Sequence, residues 1–200
     1  AVINDGPLMG YGIEGAFKSK SEFEITRQHS LQAVHQDLFG LTAPPDLAAV
    51  RRGVDKAAAM LTDSLERHLR GAGVDLVQGR ARFLDPHSVD VGGETHTGDH
   101  IIIATGTVPR VLPNIATDGR RILTSDDIIE LETRPDSLLV LGAGIIGCEF
   151  ASIFRALGSE VSLLDTRPRI LSSEDDDLGD FLARAFKVRG IDVIPNSRFE

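Results

Sequence analysis

Four residues have the types and spacing to do chemistry together: Gly142, Gly144, Gly147 and Asp165. The glycines stand in G-x-G-x-x-G spacing directly after the apolar run Leu138 to Leu141. Ile146, Phe150, Ile153 and Leu157 then recur at helical spacing, and a second apolar run, Val161 to Leu164, ends on Asp165. Each position has a physical task. The first glycine permits a tight turn out of a strand, the second lets a pyrophosphate approach bare backbone, and the third lets a helix pack close to a sheet. The helix N-terminus offers unpaired N–H groups and a positive dipole end to the phosphates. An acid at the end of the second strand accepts hydrogen bonds from a ribose diol. The stretch therefore predicts a strand–helix–strand unit that binds a dinucleotide.

The elements that must position these residues are legible on both sides. Leu138 to Leu141 reads as a strand buried on both faces. Beyond Asp165, the acidic run Ser172 to Asp177 complements the dipole of a helix start and is expected to stay solvated rather than hold a metal. Leu178, Phe181, Leu182, Ala185 and Phe186 carry that helix's apolar face, Gly190 stops it, and Ile191 to Ile194 is the next strand. The sum is β-α-β-α-β, one half of a doubly wound sheet, with a right-handed crossover expected.

Upstream, residues 1–43 are weakly patterned and read as a loop-rich surface segment without a clear starting strand. A short helix is expected around Ser30 to Phe39, with His29 and His35 facing solvent. Pro44-Pro45-Asp46 signals a helix start with Asp46 as N-cap. From Leu47 to Leu69 apolar residues keep a 3-and-4 spacing for some six turns, and Gly71 and Gly73 end the helix. Asp75 to Gln78 reads as a short strand. Ala81 to Leu84, Ser88 to Val91 and Glu94 to Thr97, separated by Asp85-Pro86 and Gly92-Gly93, read as an antiparallel meander. His87 and His96 fall on its turn and outer face. Ile101 to Ala104 predicts another fully buried strand running into Thr105-Gly106, a turn at the sheet edge where open α/β folds bind ligands. Residues 110–134 read as a connection between domains, with Ser125-Asp126-Asp127 capping a short helix, Ile128 to Leu131.

Composition sets outer limits. The 200 residues are 42% hydrophobic and 26% charged, ordinary for a globular protein, and suit one or two domains. A net charge of -9 speaks against a nucleic-acid or anionic-membrane surface. No apolar run approaches the roughly 20 residues of a membrane span, and a cytoplasmic setting is expected. The single Cys148 excludes an internal disulfide. The chain opens on Ala1 and stops at Glu200, just after a third strand, so an interior piece of a longer protein is expected.

Residues 74–171 resemble the two-dinucleotide-binding flavoproteins of the pyridine nucleotide-disulfide oxidoreductase class. The segments that carry the resemblance are Gln78 to His87, Ile102-Ile103-Ala104-Thr105-Gly106, Gly142 to Phe154, and Asp165-Thr166-Arg167-Pro168-Arg169-Ile170-Leu171. Within the class the pattern is most similar to the soluble transhydrogenase type, and next to the dihydrolipoamide dehydrogenase type. The resemblance implies a Rossmann-like NAD(P)-binding domain from residue 135, joined to the C-terminal part of an FAD-binding domain over residues 1–109. It implies FAD and NAD(P) as cofactors, hydride transfer between nicotinamide and flavin, and a homodimer for the intact protein. The implied pyridine nucleotide contacts are Gly142, Gly144, Ile145, Ile146, Gly147, Asp165, Thr166 and Arg167, with Glu149 facing the nicotinamide half. The implied FAD contacts are Arg80 and Ala81 by the adenine, and Ala104, Thr105 and Gly106 against the dinucleotide.

Several parts of the class pattern are missing from these residues: the first G-x-G-x-x-G, the redox-active Cys pair, the second flavin motif and the C-terminal His-Glu pair. Cys148 lies inside a helix and is expected to be a small buried side chain. No catalytic residue or metal ligand is assigned, and the piece alone is expected to be inactive. Asp165 favours the 2'-hydroxyl of NAD through charge-assisted bonds worth about 1.5–3 kcal/mol, while Arg167 and Arg169 could offset a 2'-phosphate's repulsion bidentately. NAD is the expected preference, with NADP open. The competing reading is a non-catalytic NAD(P)-binding module.

Overall fold

The computed structural model describes residues 1–33, 40, 43–110 and 112–198. In chain order the elements are β1 (Val2–Asn4), α1 (Lys18–Ala33), α2 (Leu47–Gly71), β2 (Leu76–Gln78), β3 (Ala81–Asp85), β4 (Ser88–Val91), β5 (Glu94–Thr97), β6 (Ser137–Leu141), α3 (Ile145–Ala156), β7 (Glu160–Leu164), α4 (Asp176–Val188) and β8 (Ile191–Ile194). A π-helical turn (Gly12–Phe17) precedes α1, and a 3-10 turn spans Asp127–Glu130. The chain divides into two compact units, Ala1–Phe17 with Asp55–Val108 and Lys18–Val54 with Pro109–Glu200. Both mix helix and strand. No helix among the described residues is long and apolar enough to cross a membrane.

In the second unit β6, β7 and β8 form a parallel sheet in consecutive order, in register at Leu138↔Val161 and Leu163↔Val193. The connections are α3 and α4, as the alternation of short apolar runs with helical stripes predicts. The core gathers Ala143, Ala151, Ile153, Phe154, Leu157, Leu163 and Phe186. Gly158, at φ +96, turns the chain out of α3, and the Ser159 N–H closes the end on the Phe154 carbonyl at 2.9 Å.

Three expectations for this sheet and its connecting helices change. β6 is not buried on both faces: Leu138 and Val140 are half-buried, whereas Leu139 and Leu141 are exposed. Alternate residues of a strand point to opposite faces, and only one set meets the core. On α3, Phe150, Ile153 and Leu157 are buried as expected, but Ile146 is 49% exposed in the first turn. On α4 the buried stripe runs through Gly179 and Phe186, with Leu182 half-buried, while Leu178 and Phe181 face outward. Gly179 selects that face, because a Cβ there would lie 2.6 Å from the Ile170 carbonyl oxygen.

The segment read as loop-rich contains α1, a 16-residue helix that packs against α3. The helix expected at Ser30 to Phe39 is instead the C-terminal end of α1, and residues 34–39, with His35, lie outside the described residues. His29 is exposed as expected and bonds through its ring nitrogen to the Ala43 carbonyl at 3.0 Å. Period failed to reveal α1 because its buried positions are polar: Ser19, Glu22 and Thr26. Glu22 meets Arg51 of α2 at 3.3 Å, and Arg51 donates to the Ile128 carbonyl at 2.7 Å. Of Ser125-Asp126-Asp127, expected to cap the 3-10 turn, Asp126 takes the cap position without a side-chain cap bond. Asp127 instead pairs with Thr124: its carboxylate accepts the Thr124 N–H and hydroxyl at 2.7 Å, and its N–H donates to the Thr124 hydroxyl oxygen at 3.2 Å.

Asp46 caps α2 as its residue type predicts, its carboxylate accepting the Ala49 N–H at 3.0 Å. The apolar stripe of α2 is buried at Leu47, Val50, Val54 and Ala58 but exposed at Leu61. Gly73, at φ +74, follows the helix end. In the first unit, β1 pairs in parallel with β2, from Val2↔Leu76 to Asn4↔Gln78. At three residues β1 is too short to show a period. β3, β4 and β5 form the expected antiparallel meander, held by Val89 and Val91. His87 sits exposed on the turn, its ring bonded to the Asp99 carbonyl at 3.1 Å, whereas His96 is half-buried rather than outward. The strand expected at Ile101 to Ala104 is absent: residues 101–110 take no regular structure, and Ile102 and Ile103 are 89% and 69% exposed. A strand exists only as a pair, and among the described residues none pairs with it.

Candidate functional site

The geometry around Gly142 to Gly147 follows from close approach. Gly142 leaves β6 at φ +106, where a side chain would be strained. A Cβ on Gly147 would lie 1.9 Å from the Gly142 carbonyl oxygen and 3.3 Å from Val140, so the first turn of α3 can touch the strand end only as glycine. Gly144 is the opposite case. It caps α3 in extended backbone, and a Cβ there would meet nothing within 4 Å. The Cys148 N–H bonds to the Gly144 carbonyl at 2.9 Å, which begins the helical ladder. The N–H groups before it, through Gly147, have no acceptor within the helix. Ile145 and Ile146 are exposed around this end. The arrangement is an open cradle of backbone donors at a positive dipole end, and it fits a phosphate group of a dinucleotide.

Asp165 closes the cradle from the end of β7. It is 5% exposed, and its Oδ2 accepts the Ala143 N–H at 2.7 Å. Arg167 supplies three further donors. Its backbone N–H and Nε reach Oδ1 at 2.9 and 3.0 Å, and Nη2 reaches Oδ2 at 3.0 Å. The Arg167 guanidinium, with these backbone donors, holds the carboxyl well below the usual range, at about 2. The Ala143 carbonyl in turn accepts the Leu171 N–H at 2.7 Å. Ala143, the middle residue of the glycine loop, is thus held through both its N–H and its carbonyl by the segment that follows β7. Arg169 is drawn away from the site: its Nη1 donates to Asp176 at 2.5 Å and its Nε to Asp180 at 3.2 Å, at the start of α4. Thr166 is exposed beside Asp165.

One turn along α3, Glu149 forms an ion pair with Lys20 of α1, Nζ to Oε2 at 2.7 Å. The Glu149 side chain is 10% exposed, and its buried Oε1 has no hydrogen-bond partner. Lys20 was not visible as a site residue, since nothing in the polar stretch Lys18 to Glu24 marks a helix. Cys148 lies behind the loop with Sγ 3.6 Å from the Ala143 carbonyl, and burial pushes its thiol up to about 11, so it is inert packing rather than a nucleophile.

The structure therefore brings together Gly142, Gly144, Ile145, Ile146, Gly147, Asp165, Thr166 and Arg167, with Glu149 four residues inside the helix. For the residues expected at FAD the structure gives exposure and backbone only. Arg80 and Ala81 are exposed at the start of β3, and Ala104, Thr105 and Gly106 are exposed in the irregular segment, with Gly106 at φ +73. Those five rest on sequence pattern alone. The fit to a pyridine nucleotide has geometry behind it.

Comparison with known proteins points the same way. A family model described as pyridine nucleotide-disulphide oxidoreductase matches residues 1–200. Dihydrolipoyl dehydrogenase of Bacillus subtilis is 30% identical, over 98% of this chain and 45% of its own length. Soluble pyridine nucleotide transhydrogenase of Mycobacterium tuberculosis is 38% identical, over 89% of this chain and 40% of its own. Among solved structures, LpdA of Mycobacterium tuberculosis superposes with a TM-score of 0.86 at 27% identity, covering 98% of this chain and 45% of that one. The flavoprotein disulfide reductase RclA of Escherichia coli gives 0.80 at 28%, covering 99% and 43%. The chain spans less than half the length of each of these proteins.

Proposed function

The chain belongs to the pyridine nucleotide-disulphide oxidoreductase family, and on that premise we propose that residues 137–194 bind a pyridine nucleotide. The pyrophosphate lies against Gly144 and the first turn of α3, and the adenosine ribose lies by Asp165. The observation that carries the reading is the contrast between the two glycines, Gly147 closed against Gly142 and Gly144 open to a ligand. Thr166 and Arg167 border the ribose, Ile145 and Ile146 flank the phosphates, and Glu149 with Lys20 marks the direction of the nicotinamide.

The protein to which these residues belong is a cytoplasmic, homodimeric oxidoreductase using FAD and NAD(P), in which hydride passes between nicotinamide and flavin. Flavin, when bound, supplies the two-electron acceptor. By its relatives the preferred subtype is a soluble transhydrogenase interconverting NADH and NADPH, and the second is a dihydrolipoamide dehydrogenase; both are among the relatives at 30–38% identity. Residues 1–109 contribute part of the FAD-binding domain through Arg80, Ala81, Ala104, Thr105 and Gly106, and residues 110–134 connect it to the nucleotide domain. The 200 residues alone hold no complete redox centre and are inactive.

Titration of the chain with NADH, followed by nicotinamide fluorescence, tests the site. Gly144→Val adds a side chain that meets no protein atom within 4 Å. It is expected to leave the thermal transition unchanged and to weaken binding at least tenfold. Wild-type and variant chains of equal affinity would remove the loop from the site.

A further inference from the structure

Among the described residues, three other than glycine take a positive φ: Met9, Leu171 and Asn196. Met9 and Asn196 are exposed, and asparagine tolerates this backbone through its short polar side chain. Leu171 has no such allowance. It stands at φ +50 with its side chain 8% exposed in the core. A bulky residue held in this region is strained, and the strain persists only where the surroundings over-determine it. Here they do. Ile170 is buried beside it, the Leu171 carbonyl accepts the Glu174 N–H at 2.8 Å, and Gly179 of α4 leaves room for the Ile170 carbonyl.

Core packing alone does not call for the positive φ, since a leucine in ordinary backbone fills a core as well. Rotation about N–Cα sets the direction of a residue's N–H against its side chain. With the side chain seated in the core, φ therefore aims the Leu171 N–H, which donates to the Ala143 carbonyl at 2.7 Å. Cys148 Sγ, at 3.6 Å from the same oxygen, is the weaker donor. A trans peptide is planar, and its C=O and N–H point opposite ways. Holding the Ala143 carbonyl thus turns the other end of that peptide, the Gly144 N–H, to the opposite side. The Gly144 N–H has no acceptor among the described residues, and a Cβ on Gly144 would meet nothing within 4 Å. A carbonyl that accepts a hydrogen bond also makes the N–H of its own peptide the stronger donor.

We propose that Leu171 is a positioning residue for the phosphate cradle: its buried side chain and strained backbone hold the Ala143–Gly144 peptide with the Gly144 N–H presented to the pyrophosphate. It acts on the ligand through the glycine loop without touching it. The inference rests on the nucleotide reading above, and its test separates the two.

Dissociation constants for NADH are measured by nicotinamide fluorescence at a temperature where all chains are folded. Wild type is compared with Leu171→Gly and with a chain whose Leu171 amide is replaced by an ester. The ester removes the N–H and leaves the side chain, whereas glycine removes the side chain and keeps the N–H and the positive φ. The ester is expected to weaken NADH about fivefold or more, the scale of one hydrogen bond, and Leu171→Gly to weaken it less. The Gly144 amide resonance, read by NMR without ligand, should move further in the ester than in Leu171→Gly. An ester chain of wild-type affinity overturns the latch, as does a loss in Leu171→Gly equal to or larger than the ester's. If the ester chain does not fold, Leu171→Val takes its place. Valine keeps most of the side chain but, branched at Cβ, resists the positive φ, and the same two outcomes apply to it. A wild-type chain that does not bind NADH overturns the nucleotide site and the latch with it. One that binds NADH and keeps its affinity in the ester overturns the latch alone.

Discussion

Ile101 to Ala104 and Leu138 to Leu141 are close to interchangeable as sequence, four apolar residues running into a glycine turn, yet only the second is a strand. β6 has β7 beside it over five paired residues. α3 packs on the same sheet, with Phe150, Ile153 and Phe154 in the core. Residues 101–104 have neither, and Ile102 and Ile103 stand in solvent. The lesson is that an apolar run gives a segment the capacity to be buried. Pairing and a covering face decide whether it is. Even β6 keeps Leu139 and Leu141 uncovered on its second face.

The same pair of segments supplies the sharpest tests. Gly147→Ala places a Cβ 1.9 Å from the Gly142 carbonyl oxygen, whereas Gly106→Ala meets nothing within 4 Å and strains only a φ of +73. In denaturant unfolding the first is expected to cost about 4 kcal/mol or more, and the second about 1 kcal/mol. Comparable losses would mean that the turn after residues 101–104 is as tightly packed as the one after β6.

Glu22→Ala tests whether the polar helix α1 anchors the nucleotide unit. The change takes the Glu22 carboxylate from the buried Arg51 guanidinium and is expected to cost about 3 kcal/mol, with Glu22→Gln milder. A loss under about 1 kcal/mol would make that ion pair dispensable.

Leu163→Ala empties a fully buried position in β7 and is expected to cost about 2–3 kcal/mol. Ile102→Ala, at 89% exposure, should stay within about 0.5 kcal/mol. Hydrogen exchange should follow the same order, with slow amides at 161–164 and fast ones at 101–104. A protected 101–104 segment would break the comparison outright.

A further effect is electrostatic. Asp165 is held at about 2 in the fold against an ordinary 3.8. A depressed carboxyl adds stability that is fully present above about pH 4 and is lost as pH falls toward 2. The contribution is on the order of 1–2 kcal/mol once the half-exposed Arg167 is allowed for. The difference in stability between wild type and Asp165→Asn should shrink across that window. A constant difference from pH 6 to pH 2 would show that the Asp165 charge adds nothing to the fold.

Much of the fold was legible because local rules suffice for it. The 3.6 period drew α2, Asp46 capped it, Gly92-Gly93 turned the meander, and the glycine spacing located the cradle. Apart from β1, which is too short to show a period, sequence reading failed for non-local reasons. α1 hides because its buried residues are polar, with Glu22 paired to the distant Arg51 and Thr26 bonded to carbonyls of its own helix. On α4 two adjacent apolar stripes compete, and the contact of Gly179 with the Ile170 carbonyl chooses between them. Lys20 enters the site only because α1 lies against α3, 129 residues away in sequence.

By itself the sequence determined which backbone can approach a phosphate, since glycine spacing and a terminal acid are properties of residue type and short-range geometry. It also determined the family. Only the tertiary structure decided that Asp165 is saturated by Ala143 and Arg167, that Arg169 turns to α4, and that Glu149 meets Lys20. A charged side chain binds whichever opposite charge or donor the fold brings within about 3 Å, and that choice is made by the packing of elements rather than by neighbours in the chain.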